Sequence, residues 1–161
     1  MIVVTAPTSQ IGSKVTAGLL AAGADVRLIV RDAARLSDPI RDRVDVVEGS
    51  HGDPSIVDQA FGGADAVFWL VPPDTTKTLD EAWLDFTRPA AAALRHHAVP
   101  RVVSITALGR GTRWQDRAGP VTASLRADEL LMASGAITSQ SSGIVPRIRL
   151  LTMQPCVSAA D

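Results

Sequence analysis

Short apolar, β-branched runs alternate with longer amphipathic stretches along most of this chain. Strand-like runs occur at residues 2–5, 26–30, 44–47, 66–71 and 101–105. Helical periodicity fills about 11–22, 54–61, 79–97 and 121–134 between them. Runs that stay apolar throughout suit strands covered on both faces, and their alternation with helices predicts βαβ units in a parallel sheet. Turn residues mark the joins at Gly23, Gly49, Gly52, Gly62-Gly63, Pro72-Pro73 and Pro100. Right-handed crossovers favour the strand order 3-2-1-4-5. The expected fold class is therefore α/β, a three-layer doubly wound parallel sheet of Rossmann-like form. Pro89 interrupts the fourth helical pattern. It either kinks one helix or opens a second after Thr87, and the single kinked helix is favoured. Residues 1–135 read as one domain and 136–161 as an atypical tail. The tail is polar at 136–143, offers a sixth strand near Arg147-Ile148-Arg149-Leu150-Leu151, and has no evident role from 154 onward.

The first βαβ unit, residues 1–31, carries the most chemistry. In a dinucleotide-binding unit the turn and helix N-terminus hold a pyrophosphate, and the tip of the second strand reads the adenosine ribose. The usual turn has three glycines, but Thr5-Ala6-Pro7-Thr8-Ser9-Gln10-Ile11-Gly12 keeps only the last. Gly12 fits close helix packing, whereas Ala6 and Ser9 are strained if their positions need φ > 0. Thr8, Ser9 and Gln10 can donate hydrogen bonds to phosphate oxygens. An ordinary ligand-free βα turn is the alternative. At the end of the second strand stands Arg31 where NAD-binding units place an acidic residue. A guanidinium there matches a 2′-phosphate, which points to NADP(H) over NAD(H); a solvated surface arginine is the alternative. Asp32 reads as the N-cap of a short helix.

Composition narrows the classes. The chain has 161 residues, 46% of them hydrophobic, and a net charge of −1, so neither nucleic acid nor an anionic membrane is an expected partner. Its uncharged runs are too short to span a bilayer, and no signal peptide is visible at Met1. The one cysteine, Cys156, fits a reducing cytoplasm. His51, His96 and His97 read as surface residues, and none has the spacing of a metal site. Trp69 reads as core; Trp83 and Trp114 suit a pocket or a partner surface. The loop Gly109 to Trp114 reads as a substrate lid or a plain mobile loop.

The turn Thr5–Gly12, Val30-Arg31-Asp32, Val46-Val47-Glu48-Gly49, the run Gly63 to Phe68 and Arg101-Val102-Val103-Ser104 together resemble an NmrA-like protein. This is an atypical branch of the short-chain dehydrogenase/reductase superfamily. The resemblance covers roughly residues 1–135 and implies an NAD(P)-binding Rossmann domain. It implies that Thr5, Pro7, Ser9, Gln10 and Ile11 line the pyrophosphate and that Arg31 meets the 2′-phosphate. Ser50 would stand near the adenine. Leu70, Val71 and Pro72 would pass under the ribose and nicotinamide, with Ser104, Thr106 and Ala107 beside the nicotinamide. Relatives continue beyond this length with a substrate-binding part, so the resemblance also implies a truncated or altered C-terminus.

The superfamily's usual acid/base pair is a tyrosine with a lysine four residues on. This chain has no tyrosine, and Lys14 and Lys77 are its only lysines, so that mechanism is excluded. Ser104 is left as a catalytic candidate that hydrogen-bonds a substrate carbonyl, or as a strand-end serine satisfied locally. The expected function is an NAD(P)H-dependent oxidoreductase reducing a small quinone or carbonyl by hydride transfer. The alternative is a non-catalytic NADP(H)-sensing regulatory module with a protein partner. The apolar face of helix 79–97 either builds a homodimer or packs on the sheet.

Overall fold

The computed structural model describes residues 1–72 and 74–142, with side chains as far as Ser139. Six strands form one parallel sheet: β1 (Ile2–Thr5), β2 (Val26–Val30), β3 (Asp45–Glu48), β4 (Ala66–Trp69), β5 (Arg101–Thr106) and β6 (Ile137–Ser142). Their order is β3-β2-β1-β4-β5-β6. Five helices connect them: α1 (Gln10–Ala21), α2 (Asp38–Arg41), α3 (Pro54–Phe61), α4 (Phe86–His96) and α5 (Pro120–Met132).

Two apolar cores lie on the two faces of the sheet. On one face, Val3, Ile29, Val67, Trp69 and Val102 pack under Val57 and Phe61 of α3, Ala90 and Leu94 of α4, and Leu131 of α5. On the other, Val4, Leu28, Val30 and Phe68 pack under Leu20 of α1, with Ile40 of α2 at the margin. Alternate residues of one strand enter different cores, which is why β1 and β2 are apolar apart from Thr5 and Arg27. The apolar face of α4 is thus buried on the sheet within the chain. Consecutive strands run outward from β1 on one side and from β4 on the other. The reversal opens a crevice at the carboxyl ends of β1 and β4, where doubly wound sheets bind ligands.

The expected order of five strands holds, as do the single helix through Pro89 and the Asp32 cap; the difference lies in the sixth strand. The sixth strand is β6, formed by the polar stretch that carried no strand pattern; it pairs with β5 from Arg101↔Ile137 to Thr106↔Ser142. As the last strand of the sheet it needs backbone partners more than an apolar face. The stretch at 147–151 lies outside the described residues. Pro89 lies inside one continuous helical element, preceded by a π-helical turn at Asp80–Asp85. Proline cannot donate to the carbonyl four residues back, and its ring crowds it, so the wider π turn just ahead accommodates the ring. Finally, Asp32 caps a 3₁₀ turn at Ala33–Arg35, its carboxylate accepting from the Ala34 N–H at 2.9 Å.

Candidate cofactor-binding site

The turn between β1 and α1 is built from backbone geometry more than from side chains. Ala6 takes the left-handed conformation at φ 48°, while Ser9 is extended at φ −78°. Only the first of the two replaced glycines is therefore strained, at a cost of about 1 kcal/mol. Ser9 instead caps α1: its Oγ accepts from the Gly12 N–H at 3.0 Å. A Cβ on Gly12 would lie 2.1 Å from the Ala6 carbonyl oxygen, so the helix can sit this close to the turn only with glycine there. The first turn of α1 contains no acidic residue. The backbone N–H groups of Gln10 and Ile11 have no acceptor among the described residues. Two open donors at the positive end of a helix suit an anion.

The structure separates the candidates in this turn. Thr8 and Gln10 are exposed, Ile11 is 38% exposed, and Pro7 is buried beneath them. Thr5 turns inward: its hydroxyl donates to the Phe68 carbonyl at 3.1 Å and accepts from the Leu70 N–H at 2.9 Å. That bridge fixes the end of β1 to the end of β4, so Thr5 shapes the crevice from behind.

Past the carboxyl ends of β2, β3 and β4, a cleft of about 450 Å³ brings together Arg31, Ser50 and Pro72. Arg31 is exposed and has neither an ion-pair nor a hydrogen-bond partner among the described residues. The Ser50 Oγ accepts from the Gly52 N–H at 3.2 Å. The cleft also holds His51, Asp74, Thr75, Lys77 and Phe86, none of which sequence reading had placed there. The loop after β4 could have been found, because loops at strand carboxyl ends line this crevice. Within it, Asp74 accepts from Thr76 Oγ1 at 2.6 Å and lies 3.9 Å from Lys77 Nζ.

His51 is a correction. It is 6% exposed, not a surface residue. Its ring stands edge-on to Trp69 and Phe86, with centroids 5.2 and 4.8 Å away. Burial lowers its pKa from 6.5 to about 4; the Leu70 carbonyl opposes the shift, and the nearby Arg31 charge adds to it. The ring is therefore neutral at pH 7, and its Nε2–H donates to the Leu70 carbonyl at 3.0 Å. Gly52 makes room for this stack, since a Cβ there would meet the Phe86 ring at 2.5 Å.

The far end of the crevice is closed. Ser104 is 2% exposed, and its hydroxyl donates to Asp128 of α5. The other Asp128 oxygen accepts from Arg110 at 3.0 Å. Ser104 is thus satisfied by a side chain rather than by local backbone. Thr106 is buried, its Oγ1 3.4 Å from Ser124 Oγ. Val71 and Ser104 line a cavity of only about 10 Å³, large enough for one water and not for a substrate. Leu70 is half-buried between the two ends. In the loop after β5, Trp114 is 55% exposed and lies under the Arg113 guanidinium at 4.7 Å. Away from the crevice, His96 and His97 both reach Asp58, a convergence that spacing along the chain conceals.

The cradle therefore fits a dinucleotide by its donor set: two open amides, a glycine-dependent close approach and an unpaired guanidinium. No helix among the described residues is long and apolar enough to cross a membrane. A 97-residue segment is 42% identical to (4-alkanoyl-5-oxo-2,5-dihydrofuran-3-yl)methyl phosphate reductase of Streptomyces griseus, covering 60% of this chain and 32% of that protein. The fold resembles Citrobacter triphenylmethane reductase complexed with NADP(H), with TM-score 0.71, 19% identity, and 86% of this chain and 47% of that one covered. It also resembles an NADPH-dependent quinone oxidoreductase of Escherichia coli complexed with NADPH, with TM-score 0.71, 18% identity, and 87% and 47% covered. The chain thus spans about a third of the curated relative and about half of these two structures. The model of the NAD(P)H-binding family matches residues 7–137, and this chain belongs to that family.

Proposed function

We propose that this chain is the cofactor-binding part of an NADP(H)-dependent reductase of the NmrA-like kind, acting on a small quinone or carbonyl acceptor. The observation that carries the reading is Arg31: an exposed, unpaired guanidinium at the tip of β2, sharing a cleft with Ser50 and Pro72. Arg31 would hold the 2′-phosphate, and the Gln10 and Ile11 amides the pyrophosphate. Neutral His51 would form an uncharged floor under the adenosine, its proton held by the Leu70 carbonyl. When bound, the dihydronicotinamide supplies a hydride to the acceptor, chemistry that belongs to the cofactor. With no tyrosine in the chain and the Ser104 proton directed inward to Asp128, the acceptor's proton comes from water in this reading.

The same inward-facing Ser104 favours a second reading, an NADP(H) sensor that acts through a protein partner and turns nothing over. NADPH oxidation with a panel of quinones and small carbonyls separates them. The reductase reading expects acceptor-dependent oxidation above the protein-free rate. Tight NADPH binding with no turnover on any acceptor would transfer the assignment to the sensor.

A further inference from the structure

We propose that Asp58, His96 and His97 form a binding site for a divalent transition metal, zinc by preference, that clamps α3 to α4. His96 Nδ1 lies 2.8 Å and His97 Nε2 2.9 Å from the same Asp58 Oδ1. One donor atom from each residue lies within 4.8 Å of the others. Neighbouring histidines on an ideal helix diverge by about 100°. Here they converge because α4 ends at His96, and His97 is its C-cap, with φ −90° and ψ 3°.

Two imidazoles and one carboxylate are a donor set for zinc, nickel or copper; calcium and magnesium prefer oxygen alone. Zinc bonds of about 2.0–2.1 Å in tetrahedral geometry put donors about 3.3 Å apart. The two nitrogen-to-oxygen spacings are shorter, so moving Asp58 Oδ1 roughly half an ångström from each imidazole suits the ion. His97 is held at 21% side-chain exposure, while Asp58 at 51% and His96 at 69% leave room for a water as the remaining ligand.

The helices run back from the carboxyl ends of the strands, and His97 leads into the start of β5. The site therefore sits at the end of the sheet opposite the cofactor crevice. Zinc and NADPH should bind independently, and the zinc energy should appear as fold stability.

The test is calorimetric titration of the metal-stripped full chain with zinc ion, in a Cys156→Ser background so that no thiol binds it. One zinc per chain is expected, with a raised Tm and no response to magnesium or calcium. The His96→Ala/His97→Ala double variant should lose binding, and Asp58→Asn should weaken it roughly tenfold or more. Both variants should keep the wild-type affinity for NADPH. Absence of zinc binding in the Cys156→Ser protein, or undiminished binding in the double variant, would overturn the proposal.

Discussion

The two ends of the crevice are built in opposite ways. At the adenosine end, hydrogen-bonding groups are left open: the Gln10 and Ile11 amides, and the Arg31 guanidinium in a cleft of about 450 Å³. At the β5 end Ser104 pairs with Asp128 and Asp128 with Arg110, around a cavity of about 10 Å³ where the Trp69 indole N–H is the group left without a hydrogen-bond partner among the described residues. Buried polar groups without partners are costly, so an open donor set persists where a ligand or water completes it, and a closed set where the protein completes itself. In the proposed reading the open groups hold a dinucleotide, while Ser104 gives its proton to Asp128.

The largest expected effect lies beneath the open end. His51 titrates near pH 6.5 when unfolded and near pH 4 when folded. Between those values the unfolded chain takes up a proton that the folded chain refuses. Its stabilising contribution is thus complete above pH 6.5 and falls as the pH drops, by about 3 kcal/mol at pH 4. Urea unfolding of wild type against His51→Phe measures this. The exposed carboxylates contribute equally to both proteins, so a difference between them that does not change with pH would contradict the buried, neutral ring.

Next comes Gly12→Ala, whose added methyl meets the Ala6 carbonyl at 2.1 Å. It should cost about 2 kcal/mol and weaken NADPH binding at least tenfold, because the amides at the start of α1 must move. Unchanged affinity would mean that the turn does not hold the pyrophosphate. The smallest effect belongs to the closed end. Ser104→Ala removes one donor from Asp128 and should cost about 1 kcal/mol while leaving NADPH affinity unchanged. A large loss of affinity there would abolish the contrast between the two ends.

Local patterns in the chain carried much of this. Five strands and their order followed from apolar runs separated by helical periodicity, and Arg31 and the turn from their place in the first βαβ unit. What escaped depends on contacts distant in sequence. His51 looked like a loop residue because nothing near it shows that Trp69 and Phe86 enclose it. Ser104 gave no sign of Asp128, 24 positions on, nor His96 of Asp58, 38 positions back. The polar β6 was missed because an outer strand is recruited by the backbone of β5 rather than by an apolar pattern of its own.

The proposed function depends on Arg31 and the α1 turn holding an NADP(H) molecule. Calorimetric titration of wild type and Arg31→Ala with NADPH and NADH tests it most directly. Wild type should prefer NADPH by about tenfold or more, and Arg31→Ala should lose this preference while its NADH affinity is unchanged. Equal affinity of wild type for the two cofactors, or binding of neither, would contradict it.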